Sequence, residues 1–207
     1  MSDIEDELTA GYRRFRADHW PTARAEYEGL ATKGQKPHTL IVACSDSRAD
    51  PALIFDAKPG ELFVVRNVAN LVPPYEPDGK LHGVSAALEF GVKVLGVKRI
   101  VVMGHAHCGG VNAMIHGAPD IVADFVGPWI AQGAPVVQHV AETVAPDQLE
   151  RAAEEAIVRL SIRNLRTFPW IAEREAKGEL QLSGLHFGIA EGALTALTDK
   201  PRFEPLA

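Results

Sequence analysis

Cys44, His105 and Cys108 offer two sulfurs and one imidazole nitrogen. Zinc accepts that donor set in tetrahedral geometry, and three protein ligands leave a fourth position for water. The residues fall in two segments, Ala43-Cys-Ser-Asp-Ser-Arg48 and Gly104-His-Ala-His-Cys-Gly-Gly110. The His-x-x-Cys spacing lets one turn present both side chains to one ion. Gly109 and Gly110 allow a tight backbone there and leave amides free to approach a small ligand. Alone, the spacing also fits a buried cysteine beside a packed histidine. The chain has two cysteines. They could pair, but with no export signal, metal binding or catalysis is the better expectation.

Asp46 and Arg48 argue for a working site. In an extended segment, alternate side chains share a face, so Cys44, Asp46 and Arg48 are expected to point the same way. An opposite charge keeps a carboxylate ionised, and the arginine fork fixes its direction. The bland reading, a surface ion pair, loses ground because a metal ligand lies two residues away. Zinc at +2 with two thiolates and a neutral imidazole sums to zero, yet it still lowers the pKa of a bound water. Asp46 could accept a hydrogen bond from zinc-bound hydroxide, or bind zinc itself in a closed form.

The elements that must position these groups are legible as apolar runs. Thr39-Leu-Ile-Val-Ala43, Leu62-Phe-Val-Val65 and Arg99-Ile-Val-Val-Met103 read as strands buried on both faces. Gly83 to Val97 reads as a helix with Val84, Ala87, Leu88 and Leu95 on one side. Gln148 to Phe168 reads as a second, and Leu180–Ile189 with Ala193–Leu197 as a terminal strand pair. Alternating strands and helices predict an α/β fold, a mainly parallel sheet flanked by helices. Both chemical segments follow strands, where ligands collect in open α/β sheets. Residues 4–31 carry helical spacing at Ile4, Leu8, Tyr12 and Phe15, and Pro21 is expected to open a second segment. That arm fits packing on its own core or on a second subunit. Residues 117–147 read as short helices and loops.

At 207 residues the chain suits one domain, 1–207, with residues 1–33 as a helical arm. Its formal net charge of -6 and lack of basic blocks argue against nucleic acid. It has no apolar run of about 20 residues to span a membrane. The acidic N-terminus is unlike a signal peptide, so a soluble cytoplasmic protein is expected.

Cys-Ser-Asp-Ser-Arg at 44–48 and His-x-x-Cys-Gly-Gly at 105–110 resemble the signature of the β-class carbonic anhydrases. Pro59 to Tyr75 and Asn164-Leu-Arg-Thr-Phe-Pro169 are also similar to that family, as is nearly the whole chain. The resemblance implies one zinc ion per chain on Cys44, His105 and Cys108, an Asp46–Arg48 dyad, and attack of zinc-bound hydroxide on carbon dioxide. It implies an apolar pocket near Phe63, Val68 and Phe90, part of it from a neighbouring subunit. Gln35 and the Gly109 amide match substrate or bicarbonate contacts. Gln35, with Ile41 where another subgroup has a tryptophan, suggests the plant-like, non-allosteric type. A homodimer, or a tetramer or octamer, is implied, with the N-terminal arm on the partner and the sheet continued across the interface. Phe90 and Val94 occupy positions proposed to carry protons in some members, which leaves buffer or His107 as a route. Hydrolysis of carbonyl sulfide or carbon disulfide on the same scaffold, or a non-catalytic zinc protein, are the alternatives. His19, His38, His82, His116, His139 and His186 lack motif context, and most are expected to be surface or packing residues.

Overall fold

The computed structural model describes residues 3–198 and 202–206. The chain divides into two compact units, Met1–Lys36 and Pro37–Ala207.

The first unit holds α1 (Asp3–Arg14) and α2 (Trp20–Lys33). Helical turns continue between them through Phe15–His19, which widens to a π-turn. Pro21 lacks the amide that would return to Ala17. The neighbouring Trp20 amide reaches Phe15 O, one residue further back than in an α-helix. Pro21 thus stands in the first turn of α2, where a second segment was expected to open, and the π-turn carries the helical path into it from α1. Phe15, Trp20 and Tyr27 pack ring on ring, with centroids 5.4–6.2 Å apart. Leu8 and Tyr12 remain 72% and 61% exposed. The side chain of Ile4, assigned above to their stripe, lies outside the described residues.

The second unit is an α/β layer structure. In chain order come β1 (Thr39–Cys44), α3 (Pro51–Ile54), β2 (Leu62–Asn67), α4 (Gly83–Glu89), β3 (Arg99–His105) and α5 (Gly109–His116). Then follow α6 (Val126–Ala131), α7 (Ala134–Ala141), α8 (Leu149–Leu165) and α9 (Pro169–Ala176). The chain closes with β4 (Gln181–Gly188), β5 (Ala193–Leu197) and β6 (Phe203–Pro205). The described strands form a six-stranded sheet, β2-β1-β3-β4-β5-β6. The first four are mutually parallel, and β5 and β6 turn antiparallel.

The strand pleat sorts the apolar runs. Leu40, Val42, Ile100 and Val102 join one core with Leu88, Val158 and Leu165. Ile41, Ala43, Val101 and Met103 pack on the other side with Ile54, Phe55 and Leu185. Runs that read as buried on both faces are so in β1 and β3. The β2 run is not: it forms the sheet edge, and Val64 is 37% exposed. The helix expected over Gly83–Val97 is α only to Glu89, continues as a π-turn through Phe90–Leu95, and ends on left-handed Gly96. Helix α9, strand β6 and the helix starting at Gly109 had not been read from the sequence.

Glycines let α8 lie close on the sheet. A Cβ at Gly104 would sit 2.8 Å from Val158 Cγ2, and one at Gly184 2.9 Å from Ile162 Cδ1. Gly104→Ala is expected to destabilise the fold by about 1–3 kcal/mol through overpacking. That lowers the melting temperature by about 2–4 °C per kcal/mol in a chain of this size. Calorimetry checks it, and an unchanged melting temperature would contradict this packing.

Candidate metal centre

Strand register brings the two chemical segments together. Ala43 lies opposite Met103, so Cys44 is level with Gly104 and His105 comes next. The β1 and β3 ends meet where the chain order reverses, β1 leading to β2 on one side and β3 standing on the other. Such a switch point leaves a crevice at the carboxyl ends of the strands. After His105 the chain turns through His107, at φ 56°, and Cys108 stands at the cap position just before α5. The tight left-handed residue is thus a histidine, and neither Gly109 nor Gly110 has positive φ. Gly110 is needed for space, since a Cβ there would lie 2.7 Å from Val68 Cγ1 and 2.9 Å from Ala69 Cβ. Gly109 faces open space.

The donor atoms of Cys44, His105 and Cys108 lie within 4.8 Å of one another, and all three residues are buried. The sulfurs are 3.9 Å apart, and both cysteines are free. A disulfide would require about 2.05 Å. Tetrahedral zinc with Zn–S near 2.3 Å would place two sulfurs about 3.8 Å apart. His105 Nδ1 bonds to Ala106 O at 2.9 Å, so Nδ1 carries the hydrogen. Nε2 is then a bare lone pair, buried and without a hydrogen-bond partner. A buried orphan acceptor is costly unless a cation completes it. The residues fit a zinc ion.

The two sulfurs are within hydrogen-bond reach of one another. The hydrogen bond from Cys108 pulls Cys44 down to about 4, and the same contact, with burial, pushes Cys108 up. For His105, burial is the largest influence and pushes its pKa down. The Cys44 sulfur, the Ala106 carbonyl and Asp46 outweigh it, and the net shift is upward.

Asp46 and Arg48 meet, but not as alternate residues of a strand. Strand β1 stops at Cys44, and Asp46 caps a 3-10 turn over Ser47–Ala49. Arg48 N–H and Nε donate to Asp46 Oδ1 at 2.9 and 3.0 Å, and Nη2 donates to Oδ2 at 2.7 Å. This fork holds the carboxyl well below its usual range. Oδ2 stands 4.0 Å from His105 Nε2, outside the Cys–His–Cys set. Arg66 fixes the turn from β2, a role the sequence reading missed. Its guanidinium donates to Cys44 O at 2.9 Å, Asp46 O at 2.6 Å and Asp50 Oδ2 at 2.6 Å. The available signal was an arginine closing an otherwise apolar strand run.

The other expected site residues are spread out. Val68 packs with the ligand cluster, and its carbonyl accepts from Trp129 Nε1 at 2.8 Å. A cavity of about 480 Å³ adjoins Val68, walled by Leu81, Val84, Phe125 and Trp129. Phe63 pairs with Phe90 at 6.0 Å between centroids. Phe63 is level with Leu40, four residues back from Cys44 and Asn67, or about 13 Å along the strand. Gln35 is exposed and lies in the first unit. Among the histidines without motif context, His186 is wholly buried and bonded to Glu154 at 2.7 Å.

Residues 39–194 match the family described as carbonic anhydrase. The chain is 39% identical to a carbonic anhydrase of Pseudomonas aeruginosa over 98% of its length and 90% of the relative's. It is 35% identical to beta carbonic anhydrase 3 of Arabidopsis thaliana over 92% of its length and 75% of that protein's. The solved β-carbonic anhydrase CcaA covers the whole chain at TM-score 0.89 and 29% identity, with 93% of that chain matched. One of two tetrameric β-carbonic anhydrases of Sordaria macrospora covers 99% at TM-score 0.69 and 29% identity, with 94% of that chain matched. With its strand-end Cys–His–Cys cluster in place, the chain belongs to the β-class carbonic anhydrases, enzymes whose general reaction is the hydration of carbon dioxide.

Proposed function

We propose that this protein interconverts carbon dioxide with bicarbonate and a proton, using a zinc ion held by Cys44, His105 and Cys108. The observation that carries the reading is the orphaned Nε2 of His105, buried beside two free cysteines and facing Arg48-clamped Asp46. Zinc, when bound, supplies Lewis acidity that ionises water near neutral pH. Asp46, kept ionised by Arg48, would accept a hydrogen bond from the attacking water or hydroxide and so turn an oxygen lone pair toward the carbon. Arg48 keeps both carboxylate oxygens aimed, so Asp46 stays charged and off the metal. Val68 and the cavity beside it form the apolar wall for carbon dioxide, and the Gly109 amide serves the bicarbonate product. Phe63 and Phe90 join the pocket only if an assembly brings them there, and Gln35 is assigned a contact to substrate or bicarbonate. Phe90 and Val94 cannot transfer protons, so the released proton leaves through buffer or past His107.

A homo-oligomer is the proposed form. The edge strand β2, exposed Leu8 and Tyr12 in α1, and Leu81 and Phe125 at 102% and 85% exposure support it. We assign the plant-like, non-allosteric type and a cytoplasmic setting. No helix among the described residues is long and apolar enough to cross a membrane.

Stopped-flow hydration assays between about pH 6 and 9 test the reaction. The rate is expected to rise with pH as the reacting water ionises. A flat profile would contradict hydroxide as the nucleophile.

A further inference from the structure

Glu154 lies on the apolar face of α8, among buried Ala153, Ala156 and Ile157, and is itself 2% exposed. A carboxylate there is costly unless its hydrogen bonds are complete. Oε1 accepts the Cys108 amide at 3.3 Å, and Oε2 meets His186 Nε2 at 2.7 Å. His186 is 0% exposed. Its Nδ1 meets Arg151 Nη1 at 2.5 Å. Arginine can only donate, so Nδ1 accepts and the imidazole hydrogen sits on Nε2, pointing at Glu154. Arg151 is anchored in turn by Thr195 Oγ1 at 2.8 Å and Glu155 Oε1 at 2.8 Å.

The line therefore runs from β5 through Arg151, His186 and Glu154 to the backbone of Cys108. It reaches no substrate position. What it holds is the one ligand at the cap position of a helix, just after a left-handed residue, with no side-chain cap of its own. We propose that Glu154 is a positioning residue, braced by His186 and Arg151, which fixes the Cys108 amide and so the direction in which its thiolate meets the metal. Partners behind a metal ligand orient it, and losing one costs about 10–100-fold in metal affinity or activity. The inference rests on Cys108 being a zinc ligand.

The test uses Glu154→Gln and Arg151→Met in the full chain, loaded with cobalt(II) for spectroscopy and with zinc for chelator competition. A glutamine at 154 offers one acceptor where two donors need one each. It is expected to change the thiolate-to-cobalt bands and weaken zinc retention about 10–100-fold. Arg151→Met removes the donor that sets the His186 tautomer and should act in the same direction, but less. A purely structural role would lower the melting temperature of the metal-free protein and leave both readouts unmoved. That result overturns the proposal. If Glu154→Gln does not fold, Arg151→Met decides alone, unchanged spectrum and retention again being the contrary result. Wild-type protein without thiolate-to-cobalt bands would remove Cys108 as a ligand and the brace with it, a failure distinct from silent variants.

Discussion

Asp46→Asn is expected to keep its zinc and to lose about 100-fold or more of the carbon dioxide hydration rate. Asp46 stands outside the Cys–His–Cys set, so metal content should not change. Its two oxygens accept three hydrogen bonds from Arg48. An asparagine has one carbonyl oxygen and an NH2 group, which would set donor against donor at Arg48 Nη2. The reacting water loses its acceptor at the same time. Because Arg48 holds the Asp46 carboxyl well below its usual range, the carboxylate is charged throughout the working range. The deficit should therefore be uniform from about pH 6 to 9, with Asp46 ionised at both ends. Hydration at the wild-type rate would take Asp46 out of the mechanism, whereas loss of zinc would recast it as support for the metal.

Cys108→Ser is expected to lose metal by more than the roughly 100-fold typical of groups behind a ligand, and activity with it. Serine nearly conserves volume at a site that is 1% exposed, so the fold should persist. It replaces a thiolate with a hydroxyl that does not ionise near neutral pH, leaving one sulfur and one imidazole. Zinc content and circular dichroism on one sample check this. Full zinc occupancy with a native spectrum would show that Cys108 is not a ligand.

The ligands were legible because their logic is local and repeated. Cys44 and His105 each end a buried apolar run, and parallel register does the rest. The pairing of Asp46 with Arg48 was also legible, though alternation was the wrong reason. Asp46 caps its own turn, and a cap draws the chain back on itself. Leu62–Val65 misled because an apolar run says that a strand is covered, not what covers it. In this chain its outer edge is open.

The supports behind the site were the least visible. Glu154 reads as an ordinary surface charge in a helix, and only its place on the stripe of Ala153, Ala156 and Ile157 marks it. His186 reads as a packing histidine, and packing is half of what it does. Its other half is a bond to a carboxylate 32 positions earlier, which no spacing encodes. Arg66 likewise serves the Cys44 and Asp46 carbonyls through register rather than sequence proximity. The substrate wall is divided for a comparable reason: Val68 lies with the ligands, while Phe63 lies farther down β2 and pairs with Phe90 of the helical turn that follows α4.

The most direct measurement is zinc K-edge X-ray absorption on purified protein, with metal content determined on the same sample. The expected result is one zinc per chain, with two sulfurs at about 2.3 Å and nitrogen or oxygen neighbours at about 2.0–2.2 Å. Protein without zinc, with Cys44 and Cys108 joined in a disulfide, would contradict the reading.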